Sequence, residues 1–270
     1  MKGLLFYDAV GARRNAWFIE RLVSVAASMG CELLPIVTDD FDEAVGRCTE
    51  DVDFAIVRTI SPRLTDAIEA KKIPVFNNSA TARVANDKWQ TYLLARELDI
   101  SVMDTASLDS STFPKSYPRV IKSVDGHGGS EVFLVKSAEE CKELLSLHSN
   151  KRFISQELSS EPGVDMRVYV MGDSVIAATK RTSKSDFRSN FSLGGSAELD
   201  APTEKMLDVI SKIRDALKFD FVGVDFIRHN GEWVLNEIED VVGTRMIYSL
   251  TDMDAAEIYI GYILTKMRGK

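Results

Sequence analysis

An α/β protein, with a parallel sheet at the N-terminus and antiparallel sheets after it, is what the sequence predicts from three observations. Short β-rich runs alternate with helical patterns through the opening part of the chain. Two later segments read as hairpins, turning at Gly172-Asp173 and at Asn230-Gly231. A hydrophobic fraction of 45% over 270 residues is enough for a real core, and the length suggests about two domains.

The elements follow in order. "GLLFYDAV" is strand-like, and "NAWFIERLVSVAASMG" places Trp17, Phe18, Leu22, Val23 and Val25 near the helical period and stops at Gly30. "CELLPIV" and "FAIVRT" are strands, so the opening is a βαβ-type alternation that implies a small parallel sheet. Its first turn, "DAVGARRNAW", has one glycine where the dinucleotide fingerprint needs three at set spacing, which argues against a nicotinamide-dependent oxidoreductase. From Asn77 the character changes. "DKWQTYLLAREL" is helical, "YPRVIKS" and "SEVFLV" are strands around a glycine loop, and "SAEECKELLSLH" opens on a capping box of Ser137 and Glu140. "RFISQEL" and the hairpin "DMRVYVMG"/"DSVIAATKR" precede a helix starting near Thr203. A second hairpin, "FVGVDFIRHNGEWVLNEIED", leads to the apolar helix "MDAAEIYIGYILTKM", read as a packing helix, with a contact between copies of the chain as the alternative.

Acidic residues outnumber basic ones by 41 to 33, a net charge of −8, so the chain as a whole does not suit a nucleic acid, and a local basic cluster carries more meaning. Cys31, Cys48 and Cys141 are scattered and form no Cys-x-x-Cys pair, which fits a reducing compartment, the cytoplasm, and argues against a disulfide framework or zinc site. The apolar run before Asp8 is too short for a secretory core and no run approaches the roughly 20 residues of a membrane span, so neither leader nor membrane is expected.

Three stretches carry chemistry. "VIKSVDGHGGSEVFLV" sets Gly126, Gly128 and Gly129 between two strands, either as a loose turn or as a lid whose bare backbone N–H groups fold over phosphates. Lys122 shares a strand face with Val120, so it either snorkels outward or points its ammonium into a site that supplies an anion. "TKRTSKSDFRSNFSLGG" crowds Lys180, Arg181, Lys184 and Arg188 together with Ser189 and Asn190, which is either a solvated face or an anion-binding wall. In "VLNEIED", Glu237 and Glu239 lie two apart on a strand and share a face, a costly placement unless something cationic binds between them; otherwise they form a solvated rim. A two-residue turn at Asn230-Gly231 sets Asp225 opposite Asn236, away from Glu237. A three-residue loop sets Asp225 opposite Leu235 and joins all three carboxylates on one face, a set suited to Mg²⁺, or Mn²⁺ in its place, bridging to nucleotide phosphates.

The ordered set "VIKSVDGHGG", "VDMRVYVMGDSVIAATKR", "DFRSN", "GVDF" and "NEIED" resembles the RimK-like branch of the ATP-grasp superfamily, carboxylate-amine ligases, over about Asn77 to Gly243. The resemblance implies an ATP-grasp fold behind a Rossmann-like βαβ lobe, with lobes at 1–84, 85–156 and 157–270. It implies that Lys88 and Lys122 contact phosphate, that Glu157 and Leu158 lie against adenine, and that Asp165 is a nucleotide contact in the same cleft. Arg188 and Asn190 match the family's residues beside the terminal phosphates, with Arg181 in the same basic wall, and Asp225 and Glu237 match its metal carboxylates. Where the family has Glu-x-Asn, this chain has Glu239, a further metal ligand in this reading, and Arg245 either offsets its charge or holds an acidic substrate. ATP, Mg²⁺, a small-molecule or peptide carboxylate and an amine such as an amino acid are the implied partners, with a homo-oligomer left open. A phosphotransferase on the same fold and a nucleotide-binding regulator without catalysis are the alternatives. No Walker loop, Gly-x-Ser-x-Gly elbow or His-Glu-x-x-His helix is present.

Overall fold

The computed structural model describes residues 1–108, 113–129, 131–183, 187 and 196–269. Strands β1 (Lys2–Tyr7), β2 (Glu32–Val37), β3 (Phe54–Val57) and β4 (Val75–Phe76) form a parallel sheet in the order β2-β1-β3-β4. Around it lie helices α1 (Ala9–Arg14), α2 (Ala16–Ser28), α3 (Phe41–Gly46) and α4 (Pro62–Ala70). Their starts are chemically marked. The Asp8 carboxylate accepts from Gly11 N, Asp40 from Glu43 N, and Ser61 from Leu64 N ahead of Pro62. Helices α5 (Ser79–Ala85) and α6 (Lys88–Glu97) follow, the latter capped by Asp87, whose carboxylate accepts from Gln90 N at 2.9 Å.

The second sheet is antiparallel, built from β5 (Thr105–Leu108), β6 (Arg119–Ser123), β7 (Val132–Val135) and β8 (Phe153–Glu157) in the order β5-β8-β6-β7. Its helix α7 (Ala138–Leu147) carries the expected cap: Ser137 Oγ accepts from Glu140 N, and Glu140 reaches back to Lys136 N, one residue further than the standard box. The third sheet holds β9 (Val164–Met171), β10 (Ser174–Thr182), β11 (Ser196–Leu199), β12 (Phe221–His229) and β13 (Glu232–Glu239), ordered β11-β10-β9-β12-β13, with α8 (Glu204–Leu217) between β11 and β12. Helices α9 (Arg245–Leu250) and α10 (Ala255–Arg268) close the chain. Among the described residues no helix is long and apolar enough to cross a membrane.

The β12–β13 hairpin corrects both registers read from the sequence. Asn230 (φ 51°) and Gly231 (φ 76°) make a two-residue turn, and His229 pairs with Glu232. Four pairs along, the register shifts: Phe226 faces Leu235, but Asp225 faces Glu237, which leaves Asn236 as the extra residue of a β-bulge. Directly opposed residues share a face, so the bulge, and not a longer loop, brings Asp225, Glu237 and Glu239 to one side of the sheet.

That sheet is two-faced by strict alternation. Met166, Val168 and Val170 point into a core with Val224, Phe226 and Leu235, into which α6 inserts Ala95 and α8 inserts Ile210 and Ile213. Asp165 and Arg167 point the other way, toward the cleft against the second sheet. Further along β9 on their side, Tyr169 and Met171 join a second core with Leu5 and Phe76 of the first sheet and Tyr259, Ile260 and Ile263 of α10. The apolar C-terminal helix therefore packs the first sheet to the third. Ile260 is fully buried at that junction, so Ile260→Ala should lower unfolding stability by about 2–5 kcal/mol. Urea denaturation measures it, and a loss under about 1 kcal/mol would show that the junction is not a shared core.

Candidate active site

Two lysines from different elements converge on one carboxylate. Lys88 opens α6 and Lys122 sits in β6; their Nζ atoms lie 3.9 and 3.7 Å from the same oxygen, Oε1 of Glu237. Lys122 is 6% exposed and donates to Asn236 Oδ1 at 2.8 Å, so it points inward to the bulge and does not snorkel outward. Lys88 also donates to the Gly126 carbonyl, which ties the helix to the glycine loop, where Gly128 (φ 67°) and Gly129 (φ 75°) occupy the left-handed region. Burial lowers the Lys122 pKa; Glu237 counters that, and the nearby Lys88 charge lowers it further. Two ammonium groups facing one carboxylate leave a surplus of positive charge.

Beside them runs a ladder of buried ions. Arg167, set opposite Asp225 by the β9–β12 register, holds it with two bonds of 2.7 Å and reaches Glu239 Oε1 at 2.5 Å. Arg181 holds Asp165 the same way, at 2.6 and 2.7 Å, and touches Asp225 at 3.0 Å. Burial alone would raise the Asp225 carboxyl, but Arg167 and Arg181 overcome it and hold the group at about 2. Burial raises Glu239, opposed by Arg167 and reinforced by the Asp225 charge. The carboxylates thus have cationic neighbours within the protein, where the sequence reading looked to a bound metal and phosphate. Arg167 was missed. Its signal was a charged residue on the alternate face of the apolar strand "VYVM".

Both Asp225 oxygens are engaged by guanidinium groups, whereas Glu237 and Glu239 keep side-chain exposures of 26% and 31% toward the cleft. Among the described residues no group of three or more His, Cys, Asp or Glu side chains is placed to hold a metal ion. The donors that face the cleft are carboxylate oxygens, the ligand type a hard dication takes.

The structure places Lys88, Lys122, Gly126, Gly128, Gly129, Glu157, Leu158, Asp165, Arg181, Asp225, Glu237 and Glu239 around one cleft between the second and third sheets. Val120, Leu158 and Ile227 supply its apolar wall and the lysines its charged end. Arg188 and Asn190, with Lys184 and Ser189 of the same basic stretch, lie outside the described residues. Lys180 leaves the basic wall; it pairs at 3.5 Å with exposed Glu198 on β11. Arg245 does not offset Glu239, whose partner is Arg167; its guanidinium donates to the Arg14 carbonyl at 3.2 Å. A second, larger cavity opens beside the cleft, with Lys88, Gly128, Arg167, Arg181, Glu237 and Glu239 lining both.

Three sheets in this arrangement, with a lysine-bearing cleft between the second and third, make an ATP-grasp fold. The D-alanine–D-alanine ligase from Bacillus anthracis complexed with ATP superposes with a TM-score of 0.79 over 100% of this chain and 98% of that one, at 13% identity. In sequence, the RimK-like ATP-grasp domain matches residues 85–263, and the chain belongs to that family. A probable alpha-L-glutamate ligase of Haemophilus ducreyi is 29% identical over 248 residues, 87% of this chain and 78% of that protein. An uncharacterized protein of Mycoplasma genitalium is 31% identical over 189 residues, 68% of this chain, and the chain spans 65% of that relative's length.

Removing one partner of a buried ion network strands the others. Arg167→Met should therefore destabilise the fold by about 3–5 kcal/mol, with Asp225 and Glu239 left facing each other. Denaturant titration of the variant checks this, and a loss below about 1 kcal/mol would mean that solvent already screens the pair.

Proposed function

We propose that this chain is an ATP-dependent carboxylate-amine ligase that forms an amide bond through an acyl phosphate. The observation that carries the reading is the shared mouth: the cleft with the lysines opens, at its charged end, into a second cavity roomy enough for substrates. Counting space open to solvent, the two measure about 790 and 1820 Å³. The first suits a nucleotide and the second a carboxylate with its acceptor. Membership of the RimK-like family and the glutamate ligase names among its relatives support the same chemistry.

In this reading the lobes are 1–84, 85–156 and 157–270, and the nucleotide lies between the last two, its base near Glu157 and Leu158 and its phosphates at Lys88, Lys122 and the glycine loop. The surplus ammonium charge there is neutralised by phosphate, and the Glu237 carboxylate is released from its two lysines. A substrate carboxylate in the larger cavity then attacks the terminal phosphorus, and the bond to ADP breaks. An amine next attacks the carbonyl carbon of the acyl phosphate, the C–O bond to phosphate breaks, and the amine gives up a proton. The protein contributes position and charge, with no covalent intermediate on a side chain. Glu237 and Glu239 would hold Mg²⁺, which when bound neutralises charge on the phosphate oxygens. Arg167 and Arg181 keep Asp225 ionised, and their bonds hold Asp225 and Asp165 in place, so the wall does not rearrange as charge moves. Arg188 and Asn190 complete the terminal-phosphate end by their place in the family motif.

Hydroxylamine tests the reading without knowledge of the natural amine, because it captures acyl phosphates as hydroxamates. With ATP, Mg²⁺ and a panel of carboxylates, hydroxamate and ADP should form in equal amounts. A stable phosphorylated product in place of hydroxamate would make the protein a phosphotransferase, and ATP binding without turnover on any panel member would make it a regulator. In the same assay Lys122→Met should remain folded and need roughly 10- to 100-fold more ATP, the worth of one charge-assisted hydrogen bond. Normal ATP use by this variant would remove Lys122 from the phosphate site.

A further inference from the structure

Resting on that reading, we propose that the larger cavity contains an anion subsite formed by Arg14, Arg58 and Arg245, and that the carboxylate substrate is a di- or polycarboxylate. One carboxylate reaches the shared mouth to be phosphorylated and a second is held by the arginines.

Arg58, just beyond β3, is 6% exposed, yet among the described residues no carboxylate lies within ion-pair distance of it. Its Nε donates to the Tyr7 hydroxyl and its Nη2 to the Val242 carbonyl, both at 2.8 Å, and its guanidinium lies 5.2 Å from the Phe18 ring centre. Those contacts fix the group without cancelling its charge, and a buried charge is ordinarily paired. Arg14 ends α1 and Arg245 begins α9. Both are exposed, both lack a carboxylate partner among the described residues, and the hydrogen bond from Arg245 to the Arg14 carbonyl holds them side by side. All three line the larger cavity and none lines the nucleotide cleft.

The acids of the same wall are committed elsewhere. Asp8 accepts from Gly11 N and the Thr59 hydroxyl, Asp240 from the Asn77 and Asn86 side-chain amides, Glu239 from Arg167, and Glu237 faces Lys88 and Lys122. Asp240 feels the Arg58 charge but sits beyond ion-pair distance. In a chain of net charge −8, three guanidinium groups therefore line one cavity with no carboxylate of the described residues within ion-pair distance of any of them, and a guanidinium group recognises a carboxylate best. A diacid supplies the missing charge, and its second carboxylate orients the first toward the mouth shared with ATP.

The hydroxamate assay on the whole chain with ATP and Mg²⁺ tests this with paired probes of equal shape: glutarate against glutaramate, and N-acetylglutamate against N-acetylglutamine. The diacid of a pair should show a KM at least about tenfold lower. Because Arg58 also supports the fold, the test uses the two exposed arginines. The double variant Arg14→Gln, Arg245→Gln should raise the diacid KM about tenfold and leave the KM for ATP and for the monoacid unchanged. Equal use of diacid and monoacid, or a preference that survives in the double variant, overturns the subsite while the ligase reading stands. Hydroxamate from no member of the panel overturns both.

Discussion

Among the described residues, and apart from Glu157, eight acidic and basic side chains line the cleft: Asp165, Arg167, Arg181, Asp225, Glu237 and Glu239 from the third sheet, and Lys88 and Lys122 from across it. The four positive and four negative charges balance, but not evenly. The two arginines are spent on Asp165, Asp225 and Glu239, whereas the two lysines share Glu237. Burial opposes the charges of Lys122, Arg167, Arg181, Asp225 and Glu239, and oppositely charged neighbours work against it. The arginine side is closed, with bidentate bonds on Asp165 and Asp225 and a single bond on Glu239. The lysine side is looser, at 3.7 and 3.9 Å, and in the proposed function it is the side that takes phosphate.

A single extra residue sets this geometry. Without the bulge at Asn236, Asp225 would face that asparagine and Glu237 would turn to the opposite face; with it, the acids share a face and Asn236 offers its oxygen to Lys122. The bulge thus joins the carboxylate side of the site to its lysine side, through the adjacent residues Asn236 and Glu237.

How far this was legible in the sequence follows from the range of each interaction. The long helices, the hairpin turns and the parallel opening sheet show in local period and turn chemistry, and so did the choice between an inward and an outward Lys122 as a question. The bulge did not show, because one inserted residue leaves the apolar pattern of "VLNEIED" unchanged. Arg167 did not show as the partner of Asp225, since their strands pair across 58 positions of chain. Helices α1 and α3 were too short for a periodic signal; their caps, Asp8 and Asp40, were the readable trace. Arg58 was read only as the end of a strand, and its unpaired burial depends on the contact of the first sheet with the Val242 segment.

The central claim is that the lysine pair is a charge surplus held for phosphate, and the Lys122 ammonium reports it directly. Its titration can be followed by nitrogen NMR on lysine-labelled protein, assigned with Lys122→Met, with and without ATP and Mg²⁺. In the free protein, burial and Lys88 should hold its pKa below that of an ordinary lysine, and bound phosphate should raise it. A Lys122 that titrates like a surface lysine, or whose pKa ATP leaves unmoved, would contradict the account.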